Sequence, residues 1–339
     1  MFLGSTKRSM MAPTGLGPHG EKAFPADKLA LTDAEADQAR AGNFTVAIVL
    51  HTTTSDWSRQ ELAGMIATLG HHGATVSEIV DCAFDKDVQN RELVRLADSP
   101  VHAVISLPIG ASEVATGHRA VARAGKTLVL LDNAPSGLLP GVDYLSLCSA
   151  DNFGIGGIAA ELVSPFVPEE GVLGILTYRA EFFVTNEREL AFRKWIGERR
   201  PDVTLVRTRF DKVEDAGTAY KRMLWENDDL NAVFVAWDVP ATEVLAEIAG
   251  GARSLPFVTV DLGNEIAAEL KKGGPLKGVA AQRPYDQGAA AARAALLGLI
   301  GRPPPAWISS TGLKVTRENL PESYETVWHA PAPRWGMSD

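Results

Sequence analysis

FTVAIVLHTTTSDWSRQELAGMIATLG (44–70) is the stretch whose reading decides the fold. TVAIVL (45–50) is an uncharged apolar run, short and rich in β-branched residues, which reads as a buried strand. The polar HTTTSDWS follows, and then an amphipathic segment to about residue 70 that reads as a helix. The same unit recurs along the chain. Apolar runs VHAVISLPI (101–109), TLVLLD (127–132), GVLGILTY (171–178), NAVFVAWD (231–238) and LPFVTVD (255–261) alternate with amphipathic segments. Repeated strand–helix alternation predicts an α/β fold of parallel sheets with helices on both faces.

Working outward, strands are expected at 45–50, 75–81, 101–107, 127–131 and 145–151, with helices at 56–70, 87–97, 112–124 and 153–166. The rhythm then restarts, with strands at 172–178, 204–210, 232–236 and 256–260 separated by helices. After Pro275 come LKGVAAQ (276–282), an Ala-rich helix at 285–299, and an extended stretch at 305–316. A chain of 339 residues is long for one core, so two lobes are expected. Residues 31–42, LTDAEADQARAG, carry Thr32 followed three positions later by Glu35, a capping box at the start of a short helix.

Composition narrows the function classes. An apolar fraction of 45% and a charged fraction of 22% suit a soluble globular chain. A net charge of −9 argues against a nucleic-acid partner, which requires a basic face. No run of 18 apolar residues is present to span a membrane. Cys82 and Cys148 make no disulfide framework and are expected as buried thiols at opposite edges of a 2-1-3-4-5 sheet. No strand is followed by a glycine-rich phosphate loop, and GIGG (154–157) lies inside a helical pattern where close helix packing accounts for it. His71 and His72 have no metal-ligand partner at helical spacing, so neither a metal nor a cofactor is expected. Residues 1–42 offer Lys7 and Arg8 but no apolar core of a secretory signal. The signal is missing from this chain, the start differs, or export takes another route.

In doubly wound sheets ligands bind beyond the carboxyl ends of the strands. The residues standing there are His51, Ser55, Trp57, Asp132, Asn133, Trp237, Asp238 and Asp261. Carboxylate and amide side by side, as in Asp132–Asn133, suit adjacent hydroxyls, since one accepts and the other donates and accepts; the pair before Ala-Pro also suits an ordinary turn. Trp237 with Asp238, and Asp261, offer a ring face and carboxylates; the competing roles are core packing for Trp237 and a helix cap for Asp238. In EFFVTNERE (181–189), Phe182 or Phe183 is expected to cover a ligand and Asn186 or Arg188 to reach it, against a hydrophobic staple at the helix start. A carboxylate pair such as Asp132 and Asp261 serves glycosidases, but nothing local marks one of them as an acid and no GxSxG appears. No catalytic residue is expected, and the set reads as a binding site for a small polyhydroxylated molecule.

These residues carry a resemblance. Over 43–319 the chain resembles the ribose/galactose-binding, type I periplasmic binding proteins of ABC transporters. The matching pieces are Ser55–Trp57, DNAP (132–135), SADN (149–152), TNERELAF (185–192), AWDVPA (236–241), VDLGN (260–264) and AQRPYDQG (281–288). The resemblance implies two doubly wound lobes joined by a three-crossing hinge: 43–150 plus 280–303 as lobe one and 151–279 plus 304–320 as lobe two. Residues 1–42 would be an N-terminal extension and 321–339 a tail. It implies cleft contacts from Ser55, Trp57, Asp132, Asn133, Phe183, Asn186, Trp237, Asp238, Asp261 and Gln282. It further implies a periplasmic monomer that takes up a pentose, hexose or sugar alcohol by hinge closure and hands it to an ABC permease. Ribose binders of this family typically have arginine where Asn133 stands, and often two aromatics where Trp57 is the single one, so ribose in its usual pose is not expected. The competing readings are an extracytoplasmic sugar sensor and the effector core of a transcription regulator. The latter needs an N-terminal helix-turn-helix, for which residues 1–42 are too short, neutral and Pro/Gly-broken.

Overall fold

The computed structural model describes residues 13–179 and 183–335. Strand β1 (Phe24–Pro25) and helix α1 (Asp33–Ala41) come first, and α1 starts at the predicted capping box, with Thr32 Oγ1 accepting from the Glu35 amide and Glu35 accepting from the Thr32 amide. The alternation then runs β2 (Thr45–Leu50), α2 (Asp56–His71), β3 (Thr75–Asp81), α3 (Lys86–Ala97), β4 (Ala103–Ser106), α4 (Ala115–Arg123), β5 (Thr127–Leu131) and β6 (Ser146–Ala150). Past Asp151 the chain enters a second lobe: α5 (Asn152–Val163), β7 (Val172–Tyr178), α6 (Phe183–Arg199), β8 (Thr204–Phe210), α7 (Ala216–Glu226), β9 (Leu230–Val235), α8 (Asp238–Ala249), β10 (Phe257–Val260), α9 (Asn264–Lys272) and β11 (Leu276–Ala281). It returns through Gln282 to α10 (Pro284–Leu299) and β12 (Trp307–Ser310), then crosses again to β13 (Leu313–Val315) and α11 (Leu320–Trp328).

The first sheet has the order β1-β12-β6-β5-β4-β2-β3 and every pairing in it is parallel. The second has the order β13-β11-β10-β9-β7-β8, parallel except where β13 meets β11. Helices cover both faces, which is why the inner strands are apolar throughout rather than alternating. Val46, Ala47, Ile48, Val49 and Leu50 are fully buried, whereas β3 at the sheet edge alternates exposed and half-buried residues. The architecture is therefore the expected α/β fold of two doubly wound lobes.

Two helix crossings depend on missing side chains. A Cβ at Gly64 in α2 would lie 2.0 Å from the Tyr285 carbonyl of α10, and one at Gly288 in α10 would lie 2.2 Å from the Glu61 carbonyl of α2. In the second lobe, a Cβ at Gly156 would stand 2.2 Å from the Arg188 carbonyl, so GIGG is a close-packing surface between α5 and α6.

The structure corrects several boundaries. β12 pairs with β6 in the first sheet, so 304–310 belongs with lobe one and the third crossing follows Ser310. Part of the supposed tail is α11, whose Leu320, Tyr324 and Val327 pack into the second lobe's core. The N-terminal extension adds β1 to the first sheet, and the Thr14 and Gly15 amides donate to the Asp151 carboxylate at 2.8 and 3.0 Å. With β12 and β1 added beyond it, β6 is interior, so Cys148 is not near a sheet edge; Cys82 follows edge strand β3, and both thiols are buried and free. Predicted residues 1–12, Phe182 and the last residues 336–339 lie outside the described residues.

Candidate functional site

β5 ends at Asp132 in lobe one and β10 ends at Asp261 in lobe two. Both residues adopt left-handed backbone, with φ of 57° and 69°. Aspartate is among the few side chains that visit this region, and such strain persists where surrounding structure over-determines it. Here glutamines supply part of that determination. Gln287 Nε2 donates to Asp132 Oδ1 and Gln282 Nε2 donates to Asp261 Oδ1, each at 2.7 Å. These glutamines flank the second crossing, so a single stretch of chain orients one carboxylate from each lobe.

Arg188 of α6 is 5% exposed, its Nε donates to Asn152 Oδ1 at 2.7 Å, and its charge acts on both carboxylates. Burial lifts the Asp132 carboxyl to about 6, against the opposing pull of Arg188 and the Gln287 hydrogen bond. Burial raises Asp261 too, again opposed by Arg188 and by Gln282. Asp238 opens α8 with its Oδ1 accepting from the Val239 amide at 2.8 Å, and burial together with the Asp261 charge holds it well above the usual carboxylate range. Beneath the site, Glu61 is fully buried with neither oxygen bonded inside the protein; burial and the Asp132 charge push it well above that range.

The lobes meet directly. Helix α9 begins at Gly263 with no side-chain cap of its own. Asp56 of lobe one supplies one: its Oδ2 accepts from the Asn264 amide at 2.8 Å and from Asn264 Nδ2 at 3.1 Å. Beside this clasp is a cleft lined by Asp56, Trp57, Gln60, Asp238, Asp261 and Gln282, with Val327 and Trp328 of α11 along its side. Trp328 is held there by Nε1 donating to the Leu262 carbonyl at 2.9 Å.

The predicted residues divide on this geometry. Asp261, Asp238 and Gln282 line the cleft together with Trp57, whose buried Nε1 is unbonded within the protein, whereas Asp132 lies outside that lining and feels the Asp261 charge. Asn133 is buried, donates to the Pro108 carbonyl at 3.3 Å, and keeps its Oδ1 unbonded. Ser55 spends its oxygen on capping α2, accepting from the Ser58 amide at 3.1 Å. Trp237 packs against Tyr178 and Phe210, both with ring centroids 5.7 Å away, instead of lining the cleft. Phe183 begins α6, half-buried. Asn186 is exposed, and Arg188, two residues further on, takes the interior position. His51 lies half-buried against Trp57 and Phe84, and desolvation lowers it to about 4, so it is neutral at pH 7. Sequence reasoning missed Gln287, Asn152, Asp56 and Trp328. Gln287 sits in the AQRPYDQG stretch, and Asp56 directly follows Ser55, itself expected as a cleft contact.

Among the described residues no cluster of metal-ligating side chains exists, and no helix is long and apolar enough to cross a membrane. The residues gathered here offer carboxyl groups, amides, one guanidinium and ring faces. No curated protein matches the chain. Solved structures do. An ABC transporter solute-binding protein from Agrobacterium vitis bound with alpha-D-tagatopyranose superposes with a TM-score of 0.77 at 20% identity, covering 86% of this chain and 100% of that one. A carbohydrate transporter solute-binding protein from Agrobacterium radiobacter in complex with D-arabinose gives 0.74 at 20% identity, covering 84% and 99%. Another from Agrobacterium vitis, with bound allitol, gives 0.71 at 19%, covering 83% and 98%. At such identities the likeness shows the fold. The family model of the periplasmic binding protein domain matches residues 46–303, most of the chain's length. The chain belongs to the periplasmic binding protein family.

Proposed function

We propose that this protein captures a small sugar or polyol between its lobes and delivers it, outside the cytoplasm, to an ABC permease, and that it performs no chemistry on the ligand. One observation carries the reading. Buried carboxylates just past β5 and β10, one per lobe, both feel the Arg188 charge and are oriented by glutamines on either side of one hinge crossing. A ligand bonded to both carboxylates is bonded to both lobes, so its binding and lobe closure are one event. Similar structures hold tagatose, arabinose and allitol, which favours hydroxylated ligands of five or six carbons. The absence of a basic face and the binding-protein family favour transport over gene regulation.

A thermal-shift screen over pentoses, hexoses and alditols tests this, because a ligand that binds only folded protein raises the melting temperature. At least one such compound is expected to raise it in a saturable way and to be recovered unchanged. A flat response across all three classes, or turnover of a bound sugar, sinks the reading.

A further inference from the structure

Around the strand ends that border the cleft, the polar atoms left over are lopsided. Gln282 and Gln287 each use their amide N–H₂ on a carboxylate, which leaves Oε1 of both buried and unbonded within the protein. Asn133 likewise donates to a carbonyl and leaves Oδ1 unbonded. Added to these are the carboxyl groups of Asp132, Asp238 and Asp261, which accept at both oxygens once a facing cation holds them ionised. Against them stand Trp57 Nε1, the amide of Gln60 in the cleft lining, and Arg188, whose charge bears on Asp132 and Asp261 and whose Nε is already given to Asn152.

A hydroxyl donates one bond and brings two lone pairs that need donors of their own. A site this rich in acceptors satisfies the first and starves the second. An ammonium group carries three donors and no acceptor, and its charge offsets the acids. Asp238, Asp261 and Gln282 line the same side of the cleft and present acceptors from β10, α8 and the second crossing together. We infer that the ligand is a sugar or polyol bearing a protonated amino group, seated against Asp238, Asp261 and Gln282 Oε1, with its hydroxyls toward Asp132, Asn133 and Gln287. This rests on the reading of the cleft as a carbohydrate site. It accounts for why Asp238 and Asp261 are buried side by side although each raises the cost of ionising the other.

Calorimetry on the full chain at pH 7 with matched pairs decides it. The pairs are D-glucosamine with D-glucose, D-galactosamine with D-galactose, and 1-amino-1-deoxy-D-sorbitol with D-sorbitol; N-acetyl-D-glucosamine serves as a neutral control of similar bulk. The amine of at least one pair is expected to bind about tenfold or more tightly than its neutral partner, a difference of about 1.4 kcal/mol. Asp238→Asn, which keeps the shape and removes the charge, is expected to bring the two members within about threefold. Neutral partners binding as tightly as the amines, or N-acetylglucosamine matching glucosamine, overturn the inference while leaving the carbohydrate reading standing. Binding by neither member of any pair overturns this inference; failure of the pentose, hexose and alditol screen as well takes the underlying reading with it.

Discussion

Removing the Asp56 carboxylate should weaken ligand binding without loosening either lobe. Asp56 lies in α2 of lobe one, yet it caps α9 of lobe two by accepting two N–H bonds from Asn264 at 2.8 and 3.1 Å. Those bonds exist only with the lobes together. A helix cap contributes about 0.5–2 kcal/mol, and a carboxylate at a helix N-terminus about 0.3–1 kcal/mol more. The side chain is 23% exposed and shared with Arg59, so the lower half of the summed range applies, about 1–2 kcal/mol. That free energy is withdrawn from the closed state. Because the ligand binds the closed state, its apparent affinity falls with the closed population. Asp56→Ala should therefore raise the dissociation constant by roughly 5- to 30-fold, and Asn264→Ala should act in the same direction from the opposite lobe. Calorimetry measures the affinity. Small-angle scattering should show the unliganded variant no more compact than wild type, with its melting temperature nearly unchanged. An unchanged dissociation constant in both variants refutes the clasp. A drop in unliganded melting temperature that fully accounts for the lost affinity refutes the assignment to closure rather than to folding.

Gly288→Ala should destabilise lobe one by about 1–3 kcal/mol in urea unfolding, since the new methyl meets the Glu61 carbonyl at 2.2 Å and forces α2 and α10 apart. Ligand binding should change tryptophan fluorescence; Trp57→Phe should remove most of the change and Trp237→Phe little of it, because Trp57 lines the cleft and Trp237 packs on Tyr178 and Phe210. Acidification should weaken lobe one through His118, fully buried between the Ser106 hydroxyl and the Val114 carbonyl and lowered by desolvation to about 4. Its neutral form is favoured in the folded state, so the stability it lends is complete above about 6.5 and disappears as pH falls toward 4, a loss of about 3 kcal/mol. His118→Gln should flatten that part of the stability–pH curve, and an unaltered slope refutes the assignment. Asp132, raised to about 6, works the other way, binding a proton in the folded state before it would unfolded.

The parts of the fold that were legible are those where burial forces a simple pattern. β2, β5, β7, β9 and β10 are covered on both faces, so each is a continuous apolar run bounded by polar residues. PAWISSTGLKVT hid a change of sheet. Its extended pattern continues through Thr311 and Gly312, and local sequence does not encode that β12 pairs with β6 while β13 pairs with β11. β1 has two residues and no period to read. Helix α11 did have a signal, with Leu320, Tyr324, Val327 and Trp328 at i, i+4, i+7 and i+8. Its Pro321 is no obstacle, since proline is favoured in a first helical turn. The same spacing argument separates Asn186 from Arg188: the inward positions of α6 are Val184, Arg188, Ala191 and Phe192, so a charged residue stands on the core stripe. A guanidinium there needs a buried partner, and Asn152 is that partner, with the charges of Asp132 and Asp261 acting on it from further away.

What remained illegible in the site is how its pieces depend on one another. Asp132 and Asp261 break a local backbone preference, Asp238 and Glu61 break the rule that buried acids are paired, and Gln282 and Gln287 leave half of each amide unbonded. Such violations gather at functional positions, where other contacts compensate. Here they gather where the lobes meet, at strand ends and beside the second crossing. Closure concentrates acceptors from both lobes into a space shielded from water, which is unfavourable until donors face them. The Asp56 cap supplies a fixed part of the opposing free energy by holding α9 to lobe one. The remainder must come from the ligand's own donors, so a molecule poor in them gains little from a closed cleft whatever its shape. On the proposed reading, selectivity and closure are then set by the same leftover acceptors, Asn133 Oδ1, Gln282 Oε1 and Gln287 Oε1, and by the acids beside them.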